Sequence, residues 1–228
     1  YARKLYLIEN CIYGVDIPPI AIQISKLRFF ISLVVDQKTN TNPVDNFGIR
    51  PLPNLEAKFV AANTLIGLEK KEATLFDSEE IKKKEKELVL AKHKIFGAKT
   101  VRTKRKYKDR VAELRVEISN MIKEANYIRN EEALQLAEWD MFNQNASSPF
   151  FDSEWMFGIN NGFDIVIGNP PYLRVQGLRE NYQKESKYYE KKYKSATGRF
   201  DFYVLFMECG FNMLTMNGVL SYIIPHKF

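Results

Sequence analysis

Short apolar runs alternate with helical repeats in the first third of the chain. Residues 11–17 form an apolar run that predicts a buried strand. Pro18 and Pro19 then open a segment in which apolar residues recur every three or four positions, which predicts a helix. That stripe consists of Ile20, Ile24, Leu27, Phe30, Ile31 and Val34. Residues 38–54, rich in Asn, Asp, Pro and Thr, predict a surface connection, and a second strand is expected at residues 57–61.

The central segment, residues 78–142, is highly charged and has a helical period. Ile81, Leu88 and Ile95 are spaced by sevens, and a second apolar run is spaced by threes and fours. The second run consists of Val111, Leu114, Ile118, Met121, Ala125 and Ile128. Two helices with a break near Gly97 account for both runs and form an antiparallel hairpin, whose apolar stripe is expected to pack helix against helix.

The last third returns to alternating elements. A turn at residues 160–162 precedes the β-branched and apolar run 163–167, which is typical of a buried central strand. Helices are expected at residues 180–194 and 203–216, and a last strand at residues 219–224. Because strands and helices alternate on both sides of the hairpin, we expect an α/β fold with a largely parallel, doubly wound sheet and an inserted antiparallel helical hairpin.

Composition narrows the class of protein. The 228 residues are 45% apolar and 13% aromatic, which is enough for a core of one to two domains. No apolar run approaches the roughly 20 residues that span a bilayer, and no signal peptide is evident, so we expect a cytoplasmic protein without membrane contact. The two cysteines and two histidines are scattered, so neither a metal site nor a disulfide framework is expected.

The net charge of +6 lies in one short segment. Residues 99–110 hold seven basic residues and one acidic residue, and the other 27 basic residues are balanced by 27 acidic ones. Such a concentration is typical of a surface that binds a polyanion. A solvated helix face accounts for the same pattern, and the segment alone favours neither interpretation.

The most informative motif is Asn169-Pro170-Pro171-Tyr172, at the carboxyl end of the strand 163–167, where open parallel sheets bind ligands. The Asn169 side-chain oxygen and the Pro170 carbonyl are able to accept both hydrogens of an exocyclic amine. The two prolines lack N–H groups, so this main chain offers acceptors only. The Tyr172 ring provides a face on which a base removed from a duplex stacks. These residues predict methyl transfer to a planar amine.

With this motif the sequence resembles the gamma class of amino methyltransferases, and more closely the large methyltransferases of type IIG restriction-modification and phage-exclusion enzymes. The resemblance covers residues 12–36, 51–66, 162–175 and 198–228. It implies a partial Rossmann-like S-adenosylmethionine-dependent methyltransferase sheet that transfers a methyl group to the N6 amine of adenine in double-stranded DNA. The core then comprises residues 1–77 and 146–228, the second part beginning with the catalytic strand, and the hairpin insertion comprises residues 78–145.

The resemblance also implies a cofactor site. Asp16 corresponds to the carboxylate that accepts the ribose hydroxyls of S-adenosylmethionine, Ile17 lies beside the cofactor adenine, and Asn63 contacts that adenine. Asp16 also suits the N-cap of the helix after Pro18, and Asn63 also suits a turn.

One feature departs from the family, because the sequence contains no Gly-x-Gly and therefore no glycine-rich cofactor loop. We expect that loop upstream of Tyr1 and a target-recognition domain after Phe228, and we expect the chain by itself to be inactive. Three alternatives remain: methylation of a protein glutamine, methylation of a ribosomal RNA base, and a non-catalytic helical interaction module. The long charged insertion argues against the first alternative. The missing loop supports the last. The sequence does not indicate an oligomeric state.

A second basic stretch, residues 181–199, follows the motif directly. Its basic residues are Lys184, Lys187, Lys191, Lys192, Lys194 and Arg199, and they alternate with Tyr182, Tyr188, Tyr189 and Tyr193. A segment that leaves the site of base entry is expected to lie near the DNA, so we assign phosphate contacts to these basic residues and stacking to the tyrosines. A solvated helix is the alternative.

Overall fold

The computed structural model describes residues 1–68, 79–98, 100–124, 130–174, 176 and 183–226. It divides into two compact units, Tyr1–Gly158 and Ile159–Phe228. The helices and strands of the first unit are α1 (Ala2–Asn10), β1 (Gly14–Asp16), α2 (Pro19–Val35), β2 (Phe59–Ala61), α3 (Glu79–Phe96), α4 (Val101–Glu124), α5 (Asn130–Glu138) and α6 (Ser153–Phe157). Those of the second unit are β3 (Phe163–Gly168), α7 (Gln183–Lys192), α8 (Phe202–Asn212) and β4 (Leu214–Tyr222).

A parallel pair of short strands organises the first unit. Gly14 is the partner of Phe59 and Asp16 is the partner of Ala61, so β1 and β2 end at the same edge. One core cluster packs around these strands and consists of Ile8, Ile22, Leu33, Leu55, Phe59 and Phe96. The ring centroids of Phe29 and Phe59 lie 4.8 Å apart, which joins α2 to β2. Helix α1 contributes Ile8 to this cluster, and the sequence pattern did not predict that helix.

Helix α2 begins at Pro19 as expected, but most of its predicted apolar face is exposed. Its exposed members are Ile20, Ile24, Leu27, Ile31 and Val34, each at least half exposed. The helix instead buries Ile22, Lys26 and Leu33. Period alone identifies a face of a helix, and burial requires another segment to cover that face.

Helices α3 and α4 run in opposite directions against each other. Lys84 pairs with Glu117 at 2.6 Å and Arg110 pairs with Glu87 at 2.9 Å, so early residues of one helix meet late residues of the other. Of the predicted apolar positions in the described ranges, Met121 is half-buried, and the others are buried, namely Ile81, Leu88, Ile95, Val111, Leu114 and Ile118. Ser78, Lys99, Ala125 and Ile128 lie outside the described residues. A third helix, α5, follows within the segment for which the pattern predicts two.

The second unit is built on the parallel pair β3 and β4. Ile165 is the partner of Val219 and Gly168 is the partner of Tyr222. The pairing is irregular near its start, because Phe163 pairs with Leu214 and residues 215–218 bulge out between the two matched positions. Strand β4 therefore starts five residues earlier than predicted, and α8 ends at Asn212 instead of continuing to residue 216.

The four described strands form two separate parallel pairs in a mixed α/β fold. Apolar side chains on β3 remain exposed, with Ile165 at 65% and Ile167 at 75%. A pair of two strands is too small to form a continuous doubly wound sheet. The described residues alone therefore do not form the doubly wound sheet that the sequence predicts. No helix in the described ranges combines the length and the apolarity that a bilayer crossing requires.

Candidate functional site

The NPPY loop, residues 169–172, follows the last residue of β3. Asn169 is exposed and Pro170 is buried. The Tyr172 hydroxyl lies 3.1 Å from Asn169 Oδ1 and 3.1 Å from the Ile223 carbonyl oxygen, while the Tyr172 ring is 56% exposed. Among the described residues no donor reaches the Pro170 carbonyl. The loop thus offers an exposed Asn169 side chain and an exposed aromatic face, and the buried Pro170 adds a carbonyl without a described donor.

The main chain of Ile223 holds this loop in place. Its N–H donates to the Gly168 carbonyl at 3.0 Å, and its carbonyl accepts from Tyr172 on the other side of the loop. A Cβ at Gly168 would lie 3.1 Å from the Tyr222 ring, so glycine allows that ring to pack beside the end of β3. Burial raises the pKa of the Tyr222 hydroxyl to about 12. The sequence did not indicate that Ile223 belongs to this site, because Ile223 acts through its main-chain atoms and lies 51 residues from Tyr172 in the chain.

Asp16, Ile17 and Asn63 lie at the carboxyl ends of β1 and β2, in the other unit. The Ala62 N–H donates to the Asp16 carbonyl at 2.9 Å, which brings the two strand ends together. Asp16 Oδ1 accepts from the Ile17 N–H at 2.8 Å, and both residues are exposed. Helix α2 has Pro18 as its N-cap without a side-chain bond, so Asp16 does not cap it. That alternative for Asp16 is wrong.

Asn63 forms the turn that the sequence left open as its alternative role. Its Oδ1 atom accepts from the Leu65 N–H at 3.1 Å, and its own N–H donates to the Ser148 carbonyl at 3.1 Å. The turn places the Asn63 side chain directly after β2, beside the end of β1. It therefore shares one edge of the strand pair with Asp16.

The basic residues that follow the NPPY loop are exposed. Lys184, Lys187 and Lys191 are three and four positions apart, so they share one face of α7. Lys192, Lys194 and Arg199 are exposed as well. Within the described ranges no acidic side chain forms an ion pair with any of these six residues. Glu180, Asn181 and Tyr182 lie outside those ranges.

Two tyrosines of this stretch are buried, contrary to the expected stacking role. Tyr189 is 2% exposed and Tyr193 is 6% exposed. The Tyr189 ring centroid lies 5.6 Å from that of Phe202, so these rings attach α7 to α8. Burial raises the pKa of Tyr193 well above its usual range. The alternation of these tyrosines with lysines is that of an amphipathic helix, in which the aromatic rings face the interior and the amines face solvent.

The charge of the other basic segment, residues 99–110, is partly compensated by carboxylates of its own unit. Arg110 donates hydrogen bonds to Glu113 at 3.1 Å and to Glu87 at 2.9 Å, and these bonds raise its pKa. Lys104 lies 3.5 Å from Glu56. The Lys108 ammonium lies 4.1 Å from the centroid of the Phe142 ring. The uncompensated positive charge on the surface of this segment is therefore smaller than the excess of basic residues in its sequence.

A sequence model of the Eco57I restriction-modification methylase family matches residues 10–228. The chain belongs to this family. This match confirms the resemblance to the methyltransferase region of restriction-modification enzymes. Comparison with solved structures found no significant match.

Three curated relatives are similar to this family member. It is 42% identical over 69 residues, 30% of the chain, to the type II restriction enzyme and methyltransferase RM.Eco57I of Escherichia coli. It is 27% identical over 290 positions, 100% of the chain, to the putative type II restriction enzyme and methyltransferase RM.MjaORFECS2P of Methanocaldococcus jannaschii. It is 35% identical over 66 residues, 29% of the chain, to the type II methyltransferase M.BstVI of Geobacillus stearothermophilus. These matches span 7%, 23% and 11% of the relatives' own lengths.

Proposed function

We propose that this chain is part of an S-adenosylmethionine-dependent methyltransferase that modifies the N6 amine of adenine in double-stranded DNA, as part of a restriction-modification or phage-defence enzyme. The observation that carries the proposal is the NPPY loop, which presents the Asn169 oxygen, a Pro170 carbonyl without a described donor and an exposed Tyr172 ring. Family membership supports methylation and DNA as the substrate class. The fit of these groups to an exocyclic amine does not distinguish adenine from cytosine, so the choice of adenine rests on the resemblance to adenine-N6 methyltransferases.

The two acceptors activate and aim the amine. Asn169 and Pro170 each accept one hydrogen of the NH2 group, which localises the nitrogen lone pair away from the ring and directs it outward. As the N–C bond formed, the bond between the methyl carbon and the sulfonium sulfur would break and the sulfur would leave as a neutral thioether. One amine proton would pass along the hydrogen bond to Asn169 or Pro170 and on to solvent. Pro171 keeps the main chain extended and has no N–H group. It therefore offers no backbone donor that would occupy the acceptors of Asn169 and Pro170. Tyr172 replaces the stacking that the base loses in the duplex.

The residues at the β1 and β2 edge fit the cofactor. The Asp16 carboxylate is exposed at a strand end and is able to accept from a ribose diol, and exposed Ile17 offers apolar surface to a purine. Asn63 lies at the same edge, with its oxygen engaged in a turn. When bound, S-adenosylmethionine supplies an electrophilic methyl group. We further propose that the paired strands belong to a Rossmann-like sheet into which α3 and α4 are inserted.

The exposed lysines of α7 are assigned to the DNA backbone. They follow the NPPY loop in the chain, with Lys184 twelve residues after Tyr172, and they lack acidic partners in the described ranges. Ammonium contacts to phosphates give affinity without sequence preference. The residues of the hairpin segment are weaker candidates, because Lys104 and Arg110 are already paired with carboxylates.

Replacement of Asn169 by Ala in the full-length protein tests the proposal. The purified protein is incubated with unmethylated genomic DNA and S-adenosylmethionine, and the DNA is digested and analysed for N6-methyladenine by mass spectrometry. We expect Asn169→Ala to reduce turnover by at least about a hundredfold, since one oriented acceptor is removed. Asn161→Ala, at an exposed asparagine of the same unit, is the matched control and should retain activity.

Two outcomes would contradict the assignment. Near-normal turnover of the Asn169→Ala variant would remove the NPPY loop from the reaction. Methylated cytosine, or methyl transfer to protein or ribosomal RNA with unmodified DNA, would leave the loop in its role and replace adenine in DNA as the substrate.

A further inference from the structure

Arg174 lies two residues beyond Tyr172 and is attached to a second segment of the chain. An antiparallel bridge joins Arg174 to Asp201, next to a hydrogen bond of 2.7 Å from the Phe202 N–H to the Leu173 carbonyl. Asp201 is the N-cap of α8, so this bridge anchors the segment that follows the NPPY loop to the start of α8. The position of Arg174 relative to the loop is thereby fixed by main-chain contacts.

The Arg174 side chain is exposed and available. Residues that face each other across an antiparallel bridge have Cβ atoms about 4.5–5.5 Å apart, so Asp201 is its neighbour. In the described part of the chain the guanidinium nevertheless forms no ion pair or hydrogen bond. An arginine held beside a loop by its main chain, with its charged end free, is suited to bind a ligand that is itself charged.

We propose that Arg174 binds a phosphate of the DNA strand that carries the target adenine, immediately beside the displaced nucleotide. The inference rests on the proposed function and deepens it, since it names the contact that positions the strand at the NPPY loop. Tyr172 and Arg174 are at most about 7 Å apart along the chain. A base stacked on Tyr172 therefore brings the phosphates of its own nucleotide toward the guanidinium.

The residue type supports a positioning role. A guanidinium donates two parallel hydrogen bonds to a phosphate, which fixes orientation as well as distance, whereas an ammonium acts as a point charge. Arg199 lies on the segment that the bridge joins to Arg174, two residues before Asp201, and is also exposed. Two arginines on paired segments next to the NPPY loop make this edge more basic than the motif alone indicates.

The test is the salt dependence of DNA binding by the full-length protein. A mixed-sequence DNA duplex is titrated at several salt concentrations with the wild type, Arg174→Ala and Arg174→Lys. We expect Arg174→Ala to weaken binding about tenfold at low salt and to reduce the slope of log K against log salt by about 0.9. Arg174→Lys should restore the slope and only part of the affinity. Arg28→Ala, at an exposed arginine on α2, is the matched control and should change neither quantity.

A structural brace to Asp201 is the competing explanation. If Arg174→Ala left the slope and affinity of the wild type and only lowered the melting temperature, or if Asp201→Asn reproduced its binding defect, the proposal would be overturned. Methylation of the same duplex is measured in parallel. A wild type that binds DNA and shows the Arg174 effect without methylating would refute the proposed function alone, and a wild type that methylates without the Arg174 effect would refute this inference alone.

Discussion

At the scale of single residues, the Tyr172 hydroxyl links two parts of the proposed site. It lies within hydrogen-bond distance of Asn169 Oδ1 and of the Ile223 carbonyl, although it has one proton to donate. The hydroxyl thus orients the ring, and the ring itself stays 56% exposed. The two parts of the side chain have separable roles, since the hydroxyl holds position and the ring offers the stacking surface.

This separation predicts different effects for two substitutions at Tyr172 in the full-length protein. Tyr172→Ala should weaken capture of the displaced base by about 1–3 kcal/mol, because it removes the stacking surface. Tyr172→Phe should be mild, at about 1 kcal/mol, because it removes only an exposed hydrogen bond. Steady-state kinetics with DNA as the varied substrate measure both. Equal losses for the two variants would show that the hydroxyl, and not the ring, is the functional group.

At the scale of elements, Lys92 attaches α3 to α6 from a buried position. Its ammonium donates to the carbonyls of Trp155 and Met156, and the residue is 5% exposed. Burial, reinforced by the nearby charge of Arg115, lowers the pKa of Lys92 to about 7. A lysine in the unfolded chain keeps its proton up to about pH 10. Between about pH 7 and pH 10, folding therefore releases a proton from Lys92.

The released proton predicts how stability varies with pH. Between about pH 7 and pH 10 the unfolded state binds more protons, so the free energy of unfolding should rise with pH by up to about 1.4 kcal/mol per unit from this group. Chemical denaturation at pH 7, 8 and 9 measures that rise. Lys92→Met should abolish the contribution, and Lys86→Met, at an exposed lysine of the same helix, should retain it. A Lys92→Met protein with an unchanged pH dependence would show that Lys92 is charged in the fold.

At the scale of the whole molecule, the distribution of charge differs from its distribution in sequence. The hairpin segment holds the excess of basic residues, but its carboxylate neighbours compensate Lys104 and Arg110. The lysines of α7 have fewer basic neighbours in sequence and face solvent without acidic partners in the described ranges. Long-range attraction of DNA depends on uncompensated charge, so the lysines of α7 compete with Arg102, Arg105 and Lys106 of the hairpin, which are also exposed without an ion pair in the described ranges.

Charge reversal in the full-length protein compares the two surfaces. Replacement of Lys184, Lys187 and Lys191 by Glu should weaken binding to all DNA sequences alike and reduce the salt slope by about 0.9 for each phosphate that is no longer neutralised. The same replacement at Lys104, Arg105 and Lys106 should have a smaller effect. Titration of duplex DNA at several salt concentrations measures both. A larger decrease in affinity for the hairpin variant would transfer the DNA surface to α4.

The sequence by itself determined the elements whose causes are local. The β-branched run that becomes β3, the start of α2 at Pro19 and the break between α3 and α4 near Gly97 follow from residue preferences over a few positions. The NPPY loop was identifiable for the same reason, because its chemistry resides in four consecutive residues at a strand end. The family resemblance rests on these local features and is confirmed by the match over residues 10–228.

Only the tertiary structure decided what each face contacts. The exposed stripe on α2, the buried rings of Tyr189 and Tyr193 and the buried ammonium of Lys92 depend on which distant segments cover them. The contacts of Ile223 with Gly168 and Tyr172 depend on the register of β4 against β3, which is set by a bulge at residues 215–218. Burial and pairing are properties of two segments at once, so the pattern of one segment leaves them open.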